Sequence, residues 1–349
     1  MKAMLITRTG LLEDAPLVPQ EVPEPKLAPG ELLIKVSACG VCHTELDEIE
    51  GRTPPPKLPV VPGHQVVGRV VAIGERNPGD SPRRDSPRIR VGDRVGVAWI
   101  FSACGKCEYC RSGQENLCPD FKATGRDANG GYAEYMTVPE GSVSLIPEVF
   151  TDAEAAPLLC AGAVGYRSLR LANIEDGQSL GLTGFGASGH LVLKTVRYQY
   201  PKTRVHVFAR SKEEQAFARE LGTTWAGDTK DNAPELLDAV IDTTPVWGPV
   251  VAALASLKPG GRLVINAIRK EETDKQVLLE LDYAKHLWME KEVKSVANVT
   301  REDVSEFLAL AACIPIKPEV QEYPLEAANQ ALLELKERRI RGAKVLRVV

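Results

Sequence analysis

The chain has 349 residues, enough for two domains that each bury a core of their own. Its 47 acidic residues exceed its 43 basic ones, so neither nucleic acid nor a membrane surface attracts it by charge, and aromatic residues at 5% are too few for a base-stacking platform. No apolar run approaches the length of a membrane span, and the apolar patch at the N-terminus is broken by Arg8 and Asp14. A cytoplasmic enzyme, with no nucleic-acid or membrane partner, is the expectation.

Residues 1–155 are rich in Pro and Gly and carry short β-branched runs at Leu32–Val36, Val66–Val71 and Arg94–Val97. They read as strands of a mainly-β domain. The stretch 76–88, with three prolines among alternating charges, reads as an exposed loop. From 156 to 297 the texture changes to alternating strand and helix. A strand near Ser179–Thr183 leads to a helix through Ser188–Gln199, then a strand from Arg204, then a helix from Lys212. Strands at Ala239–Asp242 and Arg262–Asn266 follow, with a helix from Val250 between them that Lys258-Pro259-Gly260 should close. Alternation on this scale predicts βαβ units and a parallel sheet. The tail, 298–349, offers an amphipathic stretch from Leu325 and a final strand from Ala343.

Four of the eight cysteines, Cys104, Cys107, Cys110 and Cys118, fall within fifteen residues on a Gly-rich turn. Four thiolates so spaced can close a tetrahedral zinc site. An iron–sulfur run shares the first two spacings and the terminal Cys-Pro, but its last gap is three residues where this chain has seven. Disulfides are the third reading, less suited to a chain read as intracellular.

Gly184-Phe185-Gly186-Ala187-Ser188-Gly189 matches Gly-x-Gly-x-x-Gly, after a strand and at the start of a helix. In that setting helix-terminal N–H groups face a pyrophosphate and the glycines let it approach. An NAD site usually has Asp or Glu at the end of the next strand; this chain has Ala209-Arg210-Ser211-Lys212. With no carboxylate to repel a 2′-phosphate, and a guanidinium fork, a hydroxyl and an ammonium to hold one, NADP(H) is the expected cofactor, with NAD(H) second.

Cys42, His64 and Cys160 each sit beside glycine-rich backbone. These three segments, the four-cysteine run and the following dinucleotide fold, in this order over nearly the whole chain, resemble the zinc-dependent medium-chain alcohol dehydrogenases. The resemblance implies a GroES-like mainly-β catalytic domain over 1–155, with a structural-zinc lobe at about 99–120. It implies a Rossmann cofactor domain over 156–297 and a C-terminal segment, 298–349, that returns to the catalytic domain. Two zinc ions per chain are implied: a catalytic one on Cys42, His64 and Cys160, and a structural one on the four-cysteine run. Thr44 then matches the hydroxyl that meets the substrate oxygen and starts a proton relay, and His43 a pyrophosphate contact. Trp99 matches a wall of the substrate pocket, supplemented by Ile100, Phe101 and Val164. The implied activity is hydride transfer between NADP(H) and a small alcohol or aldehyde, in a homodimer or homotetramer.

The sequence departs from the family's pattern at several places. Gln65 replaces the glutamate usual after the zinc-binding histidine, Asp47 a histidine that ends the relay, and Glu45 an aspartate that orients a histidine ligand. An arginine common after Gly342 is missing, and Arg341 or Lys344 is the candidate to replace it at the pyrophosphate. Two other readings stand beside the first: a zinc-free enone or quinone reductase of the same superfamily, and a non-catalytic NADP-binding structural protein.

Overall fold

The computed structural model describes residues 1–75, 88–314, 316–337, 339 and 341–348. Two compact units divide it: unit 1 comprises Met1–Cys160 and Val299–Val349, and unit 2 comprises Ala161–Asn298. The expected loop at 76–88 falls outside the described residues except for Arg88.

Unit 1 opens with an antiparallel pair, β1 (Lys2–Ile6) and β2 (Leu17–Glu21). The long strand β3 (Glu31–Val41) leads into helix α1 (His43–Ile49) and is followed by β4 (Val66–Ile73) and β5 (Arg94–Val97). Strands β6 (Ile100–Ser102) and β7 (Lys122–Ala123) pair with each other and bracket the four-cysteine lobe with its short helix α2 (Glu108–Arg111). Strands β8 (Tyr135–Pro139) and β9 (Val143–Leu145) and helix α3 (Asp152–Ala155) precede Cys160. Along β3 buried residues alternate with less buried ones up to Val36, a period of two that faces one side of the strand to the core. That core joins Leu32, Ile34 and Val36 to Val66, Val70, Val95, Tyr132 and Met136.

Unit 2 is the parallel sheet that the alternation predicts. Helix α4 (Ala161–Ala172) is followed by β10 (Ser179–Thr183), α5 (Ala187–Gln199), β11 (Arg204–Phe208), α6 (Lys212–Glu220) and β12 (Trp225–Gly227). Then come β13 (Leu237–Asp242), α7 (Gly248–Ser256), β14 (Leu257–Ile265) and β15 (Glu292–Ser295). The order β12-β11-β10-β13-β14-β15 reverses direction between β10 and β13, the switch point at which doubly wound sheets open a crevice. Every residue of β10 is buried, as a central parallel strand requires.

The helix stops just ahead of Lys258-Pro259-Gly260 as expected, whereas the next strand, expected from Arg262, begins earlier at Leu257. Helix α7 ends at Ser256, but the chain continues as β14 through those residues, and the register against β13 shifts between Leu237 and Ala239. Gly260, at φ +70°, absorbs the irregularity, so a breaker sequence here makes a bulged strand entry.

The chain then returns to unit 1 with α8 (Arg301–Cys313), β16 (Val320–Pro324), α9 (Ala328–Lys336) and β17 (Ala343–Arg347). The seven-stranded sheet of unit 1 runs β16-β17-β3-β4-β5-β9, with β8 also paired to β3. β17 pairs with the Ala38–Val41 end of β3, directly before Cys42. The architecture is thus a GroES-like mainly-β unit and a Rossmann unit, as the sequence predicts. None of its helices among the described residues is long and apolar enough to cross a membrane.

Candidate active site and cofactor turn

In unit 1 the sulfurs of Cys42 and Cys160 and a ring nitrogen of His64 all lie within 4.8 Å of one another. Three elements supply them. Cys42 caps the N-terminus of α1, His64 precedes β4, and Cys160 closes the segment after α3. Gly63, at φ +101°, turns the chain into His64. A β-carbon there would fall 2.4 Å from the Tyr132 ring, so glycine meets both a backbone and a space requirement.

Glu45 ties two of the three donors together. One carboxylate oxygen accepts from the Cys42 N–H at 2.9 Å, the backward half of a capping box. The other lies 2.5 Å from His64 Nδ1, a contact at ion-pair distance whose angle is outside that of a regular hydrogen bond. With Nδ1 committed to Glu45, His64 turns Nε2 toward Cys160 Sγ at 3.2 Å. A carboxylate behind one ring nitrogen fixes the tautomer and leaves the other nitrogen for a metal. The longer Glu side chain therefore still reaches the histidine.

The three donors shift one another's proton affinity. A hydrogen bond from Cys160 pulls the Cys42 thiol well below its ordinary range, and the same bond pushes Cys160 well above it. Burial works against charge on His64, but Glu45 and Cys42 outweigh it and raise its pKa. One divalent cation would let both thiols ionise, and two sulfurs with one imidazole nitrogen are a donor set that zinc accepts with a position left open. The residues fit a zinc ion.

Around these donors, Thr44 Oγ1 accepts from Cys42 Sγ at 3.6 Å and is buried. Cys42 occupies the cap of α1, so Thr44 lies inside the helix. Trp99 is buried and stands edge-on to His64, ring centroids 4.9 Å apart. His43 is exposed at the first position of α1. Asp47 is buried with Oδ1 2.5 Å from Arg52 Nε, so a guanidinium holds its carboxylate. Gln65 is buried against Gly40, where a β-carbon would lie 2.5 Å from its amide oxygen.

Glu48, also on α1, has no signal in the sequence. It is buried, its Oε1 has no hydrogen-bond partner, and burial reinforced by Glu45 lifts its pKa to about 9, so it is a neutral carboxylic acid at pH 7.

The four-cysteine lobe places Cys104, Cys107, Cys110 and Cys118 within 4.8 Å of one another, all as free thiols. Cys104 and Cys110 sulfurs are 3.9 Å apart. Sulfurs bound at about 2.3 Å to one tetrahedral zinc stand about 3.8 Å apart. Backbone N–H groups of Cys104, Cys107 and Cys110 donate to Cys118, Cys104 and Cys107 sulfurs in turn, the bonding that thiolates seek. This donor set also fits zinc.

In unit 2 the glycine turn has a distinct reason for each glycine. Gly184 takes φ +83°, and a β-carbon there would lie 2.5 Å from Thr243 Oγ1. A β-carbon on Gly189 would lie 2.8 Å from the Gly184 carbonyl, so the helix packs closely on the turn. Gly186, the uncapped N-terminus of α5, faces open space. Ala187 opens the helix there, and Ser188 Oγ donates to the Ala161 carbonyl at 3.0 Å. The first N–H groups of a helix lack intrahelical partners, and beside glycines that leave room at the turn they fit a pyrophosphate.

At the end of β11 the Ala209 side chain is buried and Arg210 is exposed. Ser211 caps α6, accepting from Glu214 N at 3.0 Å. The Lys212 ammonium lies 3.3 Å from Gln215 Oε1. Lys344, offered above as a pyrophosphate contact, is corrected. It is fully buried in unit 1 and bound to Gln321, Tyr323 and Glu334, so it has no donor for a phosphate.

Fold and site together define the medium-chain dehydrogenase/reductase class. The alcohol dehydrogenase GroES-like domain model matches residues 28–148. A probable alcohol dehydrogenase AdhA of Mycobacterium tuberculosis (strain CDC 1551 / Oshkosh) is 41% identical over 346 residues, covering 99% of this chain and 97% of that protein. An alcohol dehydrogenase of Geobacillus stearothermophilus is 35% identical over 341 residues, 94% of this chain and 95% of its own length. A solved cinnamyl alcohol dehydrogenase from Sorghum bicolor superposes with a TM-score of 0.82 at 26% identity, over 99% of this chain and 97% of that one. The chain belongs to the medium-chain alcohol dehydrogenase family.

Proposed function

We propose that this protein is a zinc-dependent alcohol dehydrogenase or aldehyde reductase that moves a hydride between NADP(H) and a small alcohol or aldehyde. The observation that carries the reading is the open group of Cys42, His64 and Cys160, three donors within 4.8 Å. A zinc ion held there would supply Lewis acidity toward the substrate oxygen. The chain's residues do the rest. Glu45 orients His64, Thr44 takes the proton of the substrate hydroxyl, and Trp99 narrows the pocket toward short or unbranched substrates. A nicotinamide held in unit 2 would supply hydride acceptance for oxidation and hydride donation for reduction, while Thr44 carries the hydroxyl proton away in one direction and returns it in the other. The Gly184–Gly189 turn binds the pyrophosphate, and Arg210, Ser211 and Lys212 hold the 2′-phosphate. Cys104, Cys107, Cys110 and Cys118 hold a second zinc that braces their lobe.

The assembly we assign is a homodimer or homotetramer in the cytoplasm. Edge strand β15 supports it, with all four residues, Val293 among them, exposed and Leu279, Tyr283 and Trp288 exposed in the segment before it. Antiparallel pairing with a second copy about Val293 sets Glu292 opposite Lys294, a favourable cross-strand pair.

A panel of alcohols and aldehydes with NADPH and NADH, on protein of measured zinc content, tests the function. About two zinc ions per chain are expected. Aldehyde reduction should be faster with NADPH, and Cys42→Ala should abolish turnover while NADPH still binds. Turnover retained by Cys42→Ala defeats the zinc reading. Exchanging Ala209 for Asp should swing kcat/KM toward NADH, and an unchanged ratio defeats the NADP assignment.

A further inference from the structure

Unit 2 holds a buried ion pair that stability alone does not explain. Asp242 ends β13 with no exposed surface, and Lys270, 8% exposed, reaches its Oδ2 from the segment after β14. The Lys270 ammonium also donates to the carbonyls of Thr244 at 2.7 Å and Val246 at 3.1 Å, so its three donors are used. Asp242 Oδ1 accepts from Thr244 Oγ1 at 2.7 Å and from its N–H at 3.3 Å.

Neighbouring contacts lace the same two segments together. Glu271 N donates to the Pro245 carbonyl at 2.6 Å. The Asp274 carboxylate accepts from Trp247 N and, at 2.8 Å, from Gly248 N, which caps the start of α7.

Removing two charges from water costs several kcal/mol per ion, and apolar side chains of similar volume often give equal or greater stability. What the pair does give is a single arrangement of segments 243–247 and 266–274. Those segments leave the carboxyl ends of β13 and β14, and Thr243 joins them to β10 by donating N–H and Oγ1 to the Thr183 carbonyl, both at 2.9 Å. Gly184, the first glycine of the cofactor turn, follows at once. The reversal of strand order between β10 and β13 is where doubly wound sheets take their ligand.

We infer that the Lys270–Asp242 pair is a positioning clasp for the dinucleotide. It holds both segments in their binding arrangement before the cofactor arrives, so their ordering is met in folding and does not weaken binding. The inference rests on the nicotinamide cofactor proposed above.

Lys270→Met alone leaves a buried carboxylate unpaired and can fail to fold, so the informative protein is the double variant Asp242→Asn with Lys270→Met. NADPH is titrated by tryptophan fluorescence without turnover. The expected result is a Kd weakened about tenfold with unchanged zinc content and a Tm within a few degrees of the parent. Lys270→Arg, which keeps the charge, should stay within about threefold of the parent. A double variant with parental Kd overturns the clasp alone. A parent that binds neither NADPH nor NADH overturns the cofactor reading and the clasp with it.

Hydrogen exchange on the parent is a second test, independent of any variant. The amides of Thr244, Trp247, Gly248 and Glu271 should be protected before NADPH is added, and saturation should add less than about threefold. Large new protection at those amides overturns pre-organisation.

Discussion

Glu45 shows how one side chain sets the geometry of two of the donors proposed for zinc. Its carboxylate spans from the Cys42 amide to the His64 ring, so removing it frees the ring and unties the cap of α1 together. Outer contacts of this kind are typically worth about 10–100-fold in metal affinity. Glu45→Ala is expected to lose zinc from one of two sites within that range, read by competition with a chromophoric chelator, while the four-cysteine lobe stays loaded. Equal retention of both ions would contradict this role. That Cys42, His64 and Cys160 come together was legible only through the family's segment order, because a lone cysteine or histidine beside glycine is most often inert core or a hydrogen-bonded residue. Their partners were not. Arg52 against Asp47, the neutral acid Glu48 and Lys270 against Asp242 acquire meaning only through burial and tertiary contact, which no spacing encodes.

At the level of elements, periodicity served well wherever one face is buried. Strand β3 alternates over its first half, and the helix expected through Ser188–Gln199 is α5. It placed the strand after α7 too late: β14 begins at Leu257, paired with Leu237, and its ladder with β13 resumes only at Arg262, beyond Lys258-Pro259-Gly260. Helix α8, opened by Thr300 with Asp303 as its return cap, was not read at all, although that pair is a capping signature. The elements that return to unit 1 carry a charged cluster with a measurable consequence. Lys344 on β17 lies 2.7 Å from Glu334 on α9, and Tyr323 on β16 donates its hydroxyl to the same carboxylate at 2.5 Å. Those bonds, Lys344 first, hold the Glu334 pKa at about 2, below the ordinary 4.5. A depressed carboxylate stabilises the fold above its unfolded pKa and loses that contribution as pH falls from about 4.5 toward 2. Glu334→Gln should therefore be less stable than the parent at about pH 5, with the gap narrowing by about pH 3. Urea midpoints of both proteins at each pH check this, and a gap that widens in acid refutes it.

For the whole molecule, the return of the chain to unit 1 decides what can be cut away. All three catalytic-site donors lie before residue 161, so a chain ending at Asn298 retains every one of them. It lacks β17, however, and β17 pairs with Ala38–Val41 on β3, the strand that delivers Cys42. It also lacks Tyr323, Leu325, Leu332, Leu335 and Leu346, which are buried in the unit 1 core. Burying one large apolar side chain contributes about 1.5–3 kcal/mol. Losing five is comparable with the whole stability of a domain, about 5–15 kcal/mol. The polar side of the same segment is lost as well: Lys336 no longer holds Glu50 of the α1 cap, and Arg301 no longer donates its amide to Glu115 in the cysteine lobe. The chain 1–298 is therefore expected to lose catalytic-site zinc although no ligand has been removed, while the strands of unit 2, all between 179 and 295, keep their pairing. Metal analysis of the purified fragment, with hydrogen exchange over residues 31–41 and 179–242, separates the outcomes. A fragment that retains parental zinc and protection at 31–41 would show that the tail is dispensable, and that β3 holds Cys42 in place without β17.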